Sequence, residues 1–316
     1  MTTLAQIERA FRRGVARITD EIRIGELREA LDAGDYGAIL NAVDIEPAAF
    51  DELRVLLVQV YAEGGISEIN GMPYKDRPRW NSATAQGERF ARDQIGGKIT
   101  LITEDMRAAV RETVADGYAL GRSHSRMALD IAGRMGPGGR RVGGIVGLNA
   151  QQAGYVANMR RYLDVWPDWP SIRRMTLRDK RFDAMIKRAY EDGRPLTKDQ
   201  IDRITQAYSN RLLRHRGEVI ARTERGSADN AGRMEAWRQA ADKLGLPYDR
   251  IIKTWVHSSR MMYPRDAHLA LAGTDVAGLD GLFDVNGHMA TRPYDPILPA
   301  SEVVNCGCSL KFRLIK

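Results

Sequence analysis

The sequence has few cysteines and few aromatic residues. Only two of its 316 residues are cysteine, and 7% are aromatic. Two cysteines are too few for the disulfide framework of a small secreted protein, and no apolar run of signal-peptide length follows the first methionine. We therefore expect synthesis in a reducing cytoplasm. The low aromatic content, in a chain with long helical segments, predicts that part of the molecule becomes ordered only on a partner.

Long apolar runs are also missing. The most apolar window, Leu53 to Tyr61, contains Arg54 and Gln59. It is far shorter than the roughly 20 residues that cross a bilayer. The pattern excludes a membrane-spanning segment in this window, and we expect no membrane partner.

The positive charge is concentrated in one region. The chain carries a formal net charge of +7, and residues 131–198 contain fourteen lysines and arginines against six acidic residues. Such a patch favours phosphate backbones or acidic protein surfaces, although a solvated helical surface would have the same composition. We define the basic belt as the candidate nucleic-acid contacts Arg140, Arg141, Arg160, Arg161, Arg173, Arg174, Lys187 and Arg188.

The spacing of apolar residues predicts a mainly α fold, with a long multi-helix body followed by a small C-terminal α+β unit. Thr3 and Gln6 have capping-box spacing at the start of an amphipathic helix. Further helices are predicted over 24–33, 47–61, 85–94, 103–135, 149–163, 175–190 and 197–244, with Gly245 after the last. Alternating patterns predict strands over 251–256 and 308–315, and Asn286-Gly287 predicts a hairpin turn.

These patterns divide the chain into four regions. They are an N-terminal helical region (1–63), a linker or hinge loop rich in glycine and proline (64–81), a helical body with the basic belt (82–245) and a small β-rich C-terminal unit (246–316). The glycine-rich stretch 138–147 lacks the ending of a P-loop and the setting of a dinucleotide site, so it is predicted to be a flexible connector. The prolines of 166–170 exclude a helix there.

Several short motifs occur together in the second half of the chain. They are Glu218 to Glu224 with Asn230, Trp255, Arg265 with His268, Pro299 to Glu302, and Asn305 to Cys308. This ordered set resembles the phage Mu F-like head-morphogenesis family of minor capsid proteins. The stretches 147–163, 178–182 and 195–201 are similar to the helical region of members from tailed phages and prophages. The resemblance covers residues 147–312, and its signature residues are Arg222, Thr223, Glu224, Asn230, Trp255, Arg265, His268, Asn305, Cys306 and Cys308.

The resemblance implies a structural protein of the phage head that is not an enzyme and has no cofactor. Family members are low-copy proteins that associate with the portal inside the head, after assembly in the host cytoplasm, and aid assembly, DNA packaging or genome delivery. The implied partners are the portal protein, the major capsid or scaffolding protein, and nonspecific double-stranded DNA. We found no helix-turn-helix, zinc-finger or homeodomain pattern, so DNA contacts should be to the backbone.

The two cysteines allow three interpretations. The main one is packing, with both thiols on the inner face of the last strand, which also leaves no catalytic residue. A metal ion held by His257, His268, Cys306 and Cys308, with His288 as a further candidate, stays open, although the spacing matches no compact zinc module. A nucleophilic cysteine with His268 as base is the third, and it would make the chain a virion-carried effector enzyme, nuclease-like or toxin-like.

Arg222 and Glu224 also have two interpretations. Arg222 lies four residues after Glu218, and Glu218 four after Arg214, so a solvated ladder of ion pairs along one helix is one possibility. The other is that Arg222 or Glu224 is buried against the C-terminal unit and fixes how helix and strands dock.

Overall fold

The computed structural model describes residues 1–136, 138–258 and 264–315, and it confirms the mainly α architecture with a small C-terminal α+β region. The helices are α1 Leu4–Glu21, α2 Ile24–Ala33, α3 Tyr36–Val43, α4 Asp51–Gly71, α5 Ala85–Arg89, α6 Gly96–Ala119, α7 His124–Ala132, α8 Ala150–Asp164, α9 Trp169–Ile172, α10 Asp183–Glu191, α11 Lys198–Leu244, α12 Asp266–Ala270 and α13 Ala300–Val303. The strands are β1 Arg134–Met135, β2 Arg141–Val142, β3 Ile251–Val256, β4 Asp275–Ala277, β5 Phe283–Val285, β6 His288–Ala290 and β7 Ser309–Leu314. Within the described ranges, no helix is both long and apolar enough to cross a membrane.

The chain folds into two compact units that differ from the four predicted regions. Unit 1 comprises Met1–Arg9, Glu52–Lys98 and Gly217–Lys316, and unit 2 comprises Ala10–Asp51 and Ile99–Arg216. The β-rich region 246–316 is therefore not a separate unit. It shares one core with α4 and the second part of α11, in which Met234 and Trp237 are buried together with Trp255 and Phe283.

The strands of unit 1 match the predictions closely. The antiparallel sheet has the order β4-β3-β7, with Trp255 opposite Leu310. Strands β5 and β6 form the predicted hairpin, in which Asn286 and Gly287 have φ of 55° and 84°. Two successive positive φ angles are what a type I′ turn requires, which explains the Asn-Gly pair.

The predicted linker 64–81 is helical over its first part, because α4 continues to Gly71. A Cβ on Gly64 would lie 2.8 Å from the Asp229 carbonyl oxygen, and one on Gly65 would lie 2.2 Å from the Trp80 ring. On the facing helix, a Cβ on Gly232 would lie 2.0 Å from the Tyr61 carbonyl oxygen. Gly64 and Gly232 thus allow close packing of α4 and α11, and Gly65 leaves room for the Trp80 ring. These glycines lie within helices and do not form a hinge.

Several helix ends follow their sequence signals. Thr3 and Gln6 form the predicted capping box, since Gln6 N donates to Thr3 Oγ1 (3.2 Å) and Thr3 N donates to Gln6 Oε1 (2.8 Å). Asn149 and Gln152 form another at the start of α8. The end of α11 at Leu244, followed by Gly245 with φ of 61°, is also confirmed.

Other predicted boundaries in unit 2 were wrong. The helix predicted over 103–135 is interrupted between α6 and α7, and the helix predicted from Met175 begins at Asp183, after a short 3-10 turn capped by the Asp179 carboxylate. One helical turn, α9, forms inside the segment where prolines were expected to exclude helix, because Pro170 lies in the first turn, where no N–H partner is needed.

The glycine-rich stretch 138–147 is more ordered than predicted. It contains β2, which pairs with β1, and Ile145 and Val146 are buried. Ser209 Oγ donates to the Gly144 carbonyl oxygen at 2.6 Å, and a Cβ on Gly143 would lie 2.4 Å from the Gln206 side chain. Close packing against α11 within unit 2 accounts for the glycines here.

Candidate functional site

The side chains of His268, Cys306 and Cys308 meet in the interior of unit 1. The Nδ1 atom of His268 lies 3.5 Å from the Sγ atom of each cysteine. All three ligand-capable atoms lie within 4.8 Å of one another, and the three residues are at most 3% exposed. We call these residues the His-Cys cluster.

Short elements place the cluster. His268 belongs to α12, Cys306 lies in the loop after α13, and Cys308 immediately precedes β7. Asn305 adopts a left-handed conformation with φ of 62°, which an Asn tolerates better than most residues and which reverses the chain before the cysteines. The Cys308 backbone N–H then donates to Cys306 Sγ at 3.3 Å. The turn therefore directs both thiols to the same imidazole.

A carboxylate holds the other side of the imidazole. Glu302 Oε2 lies 3.0 Å from His268 Nε2, and Glu302 Oε1 accepts a hydrogen bond from Asn286 Nδ2 at 3.2 Å. A carboxylate only accepts hydrogen bonds, so Nε2 carries the hydrogen in the neutral imidazole. Nδ1 consequently presents its lone pair to the two sulfur atoms.

The two thiols influence each other strongly. Hydrogen bonding with the Cys308 thiol is the largest cause that lowers the pKa of Cys306; hydrogen bonds with His268 and with the Cys308 backbone N–H also lower it, and burial opposes them. The same interaction with Cys306, together with burial, raises the pKa of Cys308. The cluster therefore favours one thiolate, at Cys306.

Apolar and aromatic groups enclose the cluster. The Trp255 ring is fully buried and packs edge-on against His268, with ring centroids 5.5 Å apart, and edge-on against Phe283 at 5.3 Å. The Tyr294 hydroxyl donates to the Cys306 carbonyl oxygen. Burial, as the largest cause, raises the pKa of Tyr294, so it stays a neutral donor. A shell of this kind excludes water and strengthens electrostatic interactions inside it.

The remaining signature residues hold the loop that carries the cysteines. Asn305 accepts a hydrogen bond from Arg222 through its side chain and donates from its backbone N–H to Thr223 Oγ1 at 2.9 Å. Asn230 Nδ2 donates to the Cys308 carbonyl oxygen at 3.4 Å. Helix α11 thus anchors the loop from one side.

Arg265, the residue before α12, holds α13 and the start of the same loop. Its Nε donates to the Ser301 carbonyl oxygen at 2.5 Å and its guanidinium to the Val304 carbonyl oxygen at 2.7 Å. Arg222 therefore links α11 to the loop through Asn305, but its side chain is exposed, so the interpretation in which Arg222 is buried against the C-terminal unit is wrong. Glu224 is partly exposed. Burial is the largest cause that raises its pKa, and the charge of Lys98 opposes this effect.

The other histidines predicted as metal candidates lie elsewhere. Among the described residues, the group of close ligand atoms does not include His257, and His288 is exposed on β6. Residues 259–263, part of the histidine-containing stretch between β3 and α12, lie outside the described residues. Three of the four predicted candidates therefore meet.

The basic belt lies in unit 2, and the structure corrects one of its members. Arg160 is 2% exposed, and its guanidinium lies 2.8 Å from Asp202 and 3.4 Å from Asp130. It is an internal ion-pair residue that cannot reach a phosphate outside the protein. The other seven are exposed or partly exposed: Arg140, Arg141, Arg161, Arg173, Arg174, Lys187 and Arg188.

Sequence reasoning missed Glu302 and Asn286 as parts of the cluster. Glu302 stands four residues before Cys306, in a motif already singled out, and a carboxylate so close to a histidine–cysteine set is the signal that could have identified it. Asn286 was assigned only to the hairpin turn. Comparison of the chain with protein families, with curated proteins and with solved structures finds no match.

Proposed function

We propose that the chain is a structural minor capsid protein of a tailed phage or prophage, which associates with the portal inside the head and aids assembly, DNA packaging or genome delivery. One observation carries this proposal. The signature residues of the family resemblance, with the exception of Glu224, form a connected set of contacts around the His-Cys cluster.

Chance similarity between short motifs gives no reason for the matched residues to meet in space. Here Arg222 and Asn305, 83 positions apart, share a hydrogen bond, and Asn230 reaches Cys308 across 78 positions. Such convergence is expected when the motifs belong to one folded module, and this supports carrying the function of the family to this chain. The link from fold to function remains an analogy.

The architecture of the cluster favours a structural role over catalysis. His268 and Cys306 are each 2% exposed, so neither presents a surface to a substrate. Arginine side chains around them bond backbone carbonyls and fix a loop. These features are those of a rigid module that supports assembly.

The exposed part of the basic belt fits contact with packaged DNA. Arg173, Arg174 and Arg188 are exposed, and no ion pair of their side chains is found among the described residues. The short helix α9 packs against both α8 and α10, which brings the segments that carry these residues together within unit 2. Their charge would attract phosphates without reading bases.

The first test is a pull-down of the tagged full chain against the portal protein of the same phage, at low and moderate salt, with nuclease present to remove DNA bridges. We expect portal binding that survives nuclease. If the chain is folded, as judged by circular dichroism, and binds the portal protein at neither salt concentration, the portal assignment is overturned.

A second test addresses the belt. The triple variant R173A/R174A/R188A should bind a random-sequence duplex more weakly, and the slope of log affinity against log salt should fall by about 3, since each lost phosphate contact removes about 0.9. The exposed Arg203, which pairs with Asp199 on α11 outside the belt, provides a matched control. An unchanged slope in the triple variant, or an equal fall in Arg203→Ala, would contradict the role of the belt.

A further inference from the structure

The imidazole of the His-Cys cluster faces more sulfur atoms than it can bond. In the neutral imidazole, the lone pair on His268 Nδ1 can accept one hydrogen bond, yet both thiols lie 3.5 Å from it. One sulfur therefore lacks a partner at the imidazole. A cation between the three atoms would bind all of them at once.

The distances fit such a cation. In tetrahedral coordination, zinc binds sulfur at about 2.3 Å and imidazole nitrogen at about 2.0 to 2.1 Å, which places the sulfur and nitrogen atoms about 3.5 Å apart. The two observed distances from Nδ1 to sulfur are both 3.5 Å. Both nitrogen–sulfur distances are thus those of a coordinated set, and the two sulfur atoms lie within 4.8 Å of each other.

The groups around the ligands also match a metal site. A histidine that binds metal usually donates its other ring N–H to a carboxylate, which fixes the ring and increases its basicity. Glu302 occupies this position, and Asn286 and Arg265 lie against its carboxylate at 3.2 Å and 3.9 Å. The Cys308 N–H donated to Cys306 Sγ is a further contact that stabilises a thiolate ligand.

We propose that His268 Nδ1, Cys306 Sγ and Cys308 Sγ bind one zinc ion, with Glu302 as the positioning residue for the histidine. Two thiolates and one imidazole form a donor set that suits zinc better than magnesium or calcium, which prefer oxygen. The three ligands come from α12 and from the loop before β7, so the ion links two segments of unit 1. Binding releases the remaining thiol protons to solvent, and no electron is transferred.

The test uses the full-length chain without portal protein or DNA, so its outcome is independent of the proposed function. We expect about one zinc ion per chain by elemental analysis after purification with zinc in the medium. Cobalt(II) added to the metal-free chain should produce the thiolate charge-transfer and tetrahedral absorption bands. A chain that retains less than about one tenth of an equivalent of zinc and produces no cobalt spectrum would overturn the proposal.

Variants separate the ligands from the fold. Cys306→Ser should weaken the charge-transfer band, because one of the two thiolate ligands is lost, whereas Glu302→Gln should retain the spectrum and weaken zinc affinity about 10-fold to 100-fold. His288→Gln, an exposed histidine on β6, is the matched control and should bind like the wild type. If Cys306→Ser does not fold, the zinc affinity of Glu302→Gln and the cobalt spectrum of the wild type still test the proposed site. Equal affinity in Glu302→Gln and His288→Gln would reject the positioning role.

Discussion

Unit 1 and unit 2 both bury positively charged side chains, but unit 1 pairs them with backbone carbonyls and unit 2 pairs them with carboxylates. In unit 1, Lys253 is fully buried, and its Nζ donates to the carbonyl oxygens of Leu279 (2.8 Å), Gly281 (2.6 Å) and Thr291 (2.8 Å). Arg292 similarly donates to two carbonyl oxygens of its own segment, and burial lowers its pKa to about 10.

In unit 2 the acceptors are acidic side chains. Arg160 lies between Asp130 and Asp202, and the buried Arg216 donates to Asp105 at 2.9 Å. Burial is the largest cause that lowers the pKa of Arg216, and Asp105 opposes it. Each of these cations joins side chains from different parts of a helical unit.

The difference follows from secondary structure. In the helices of unit 2 nearly every carbonyl is already bonded within its own helix, so side-chain carboxylates are the acceptors that remain. Between β4 and α13 the chain of unit 1 is largely irregular, and carbonyls there need donors from elsewhere. A buried lysine or arginine can thus donate hydrogen bonds to carbonyls that no strand partner bonds. A carboxylate partner is required only where the backbone carbonyls are already hydrogen-bonded within helices.

The largest expected effect is at Lys253. Lys253→Met keeps the volume but leaves three buried carbonyls without their donor, and we expect a loss of about 4 kcal/mol in the free energy of unfolding. Urea unfolding followed by circular dichroism measures it. Lys311→Met, on the exposed face of the neighbouring strand β7, is the control and should change stability by less than about 0.5 kcal/mol. Similar values for both variants would show that the carbonyl contacts add no stability.

The corresponding change in unit 2 is Arg160→Met. It leaves Asp130 and Asp202 without their most buried partner, and we expect a loss of about 3 kcal/mol. Arg134 lies 3.1 Å from Asp202 and continues to pair with it, which limits the loss in the free energy of unfolding. Arg161→Met, at the next and exposed position, should be close to neutral in the same urea titration. A larger loss at Arg161 than at Arg160 would contradict the assignment of the buried network.

The stability of the protein at alkaline pH should depend on Lys253. Burial lowers the pKa of Lys253 to about 8, with Asp280 opposing, whereas the unfolded chain keeps this proton up to about pH 10.4. The unfolded state binds more protons in that window, so stability should rise with pH there, by up to about 1.4 kcal/mol per pH unit. The difference in unfolding free energy between wild type and Lys253→Met, measured at pH 7.5 and 9.5, should grow. A constant difference would mean that Lys253 stays charged.

The smallest effect is expected at acid pH in unit 2. The hydrogen bond from the Arg181 side chain is the main cause that lowers the pKa of Asp179 in the folded protein, and Arg211 adds to it. The stabilisation is present above the unfolded pKa of about 3.9 and is lost as pH falls through the folded pKa. Asp179→Asn should therefore flatten the fall of Tm between pH 5 and 3. Asp192→Asn, an exposed neighbour in the same unit, should leave the curve unchanged.

Local signals were sufficient to predict the elements whose cause is local. The cap at Thr3, the end of α11 at Gly245 and the Asn286-Gly287 turn depend on residues a few positions apart. The linker prediction failed at Gly64 and Gly65, because what decides their conformation is close contact with Asp229, far away in the sequence, and with Trp80, at the other end of the predicted linker. Glycine indicates a loop only when nothing packs against it.

The candidate site shows the same limit. Both cysteines and His268 were recognisable as unusual residues, but their meeting depends on how α12 and α13 are placed beside the last strand. Arg160 shows that the same limit applies to predictions made from charge. Composition identified a basic region, yet only the packing of α8 shows that this arginine faces two aspartates inside unit 2.

Both thiols of the whole chain lie in one buried cluster, and this has a practical consequence. A thiol-specific reagent added to the native protein can react only when this part of unit 1 opens. The labelling rate therefore reports the opening free energy of one region when closing is faster than labelling, and its opening rate when it is slower. No cysteine has to be introduced or removed, so the dynamics of this region are measurable in the unmodified protein.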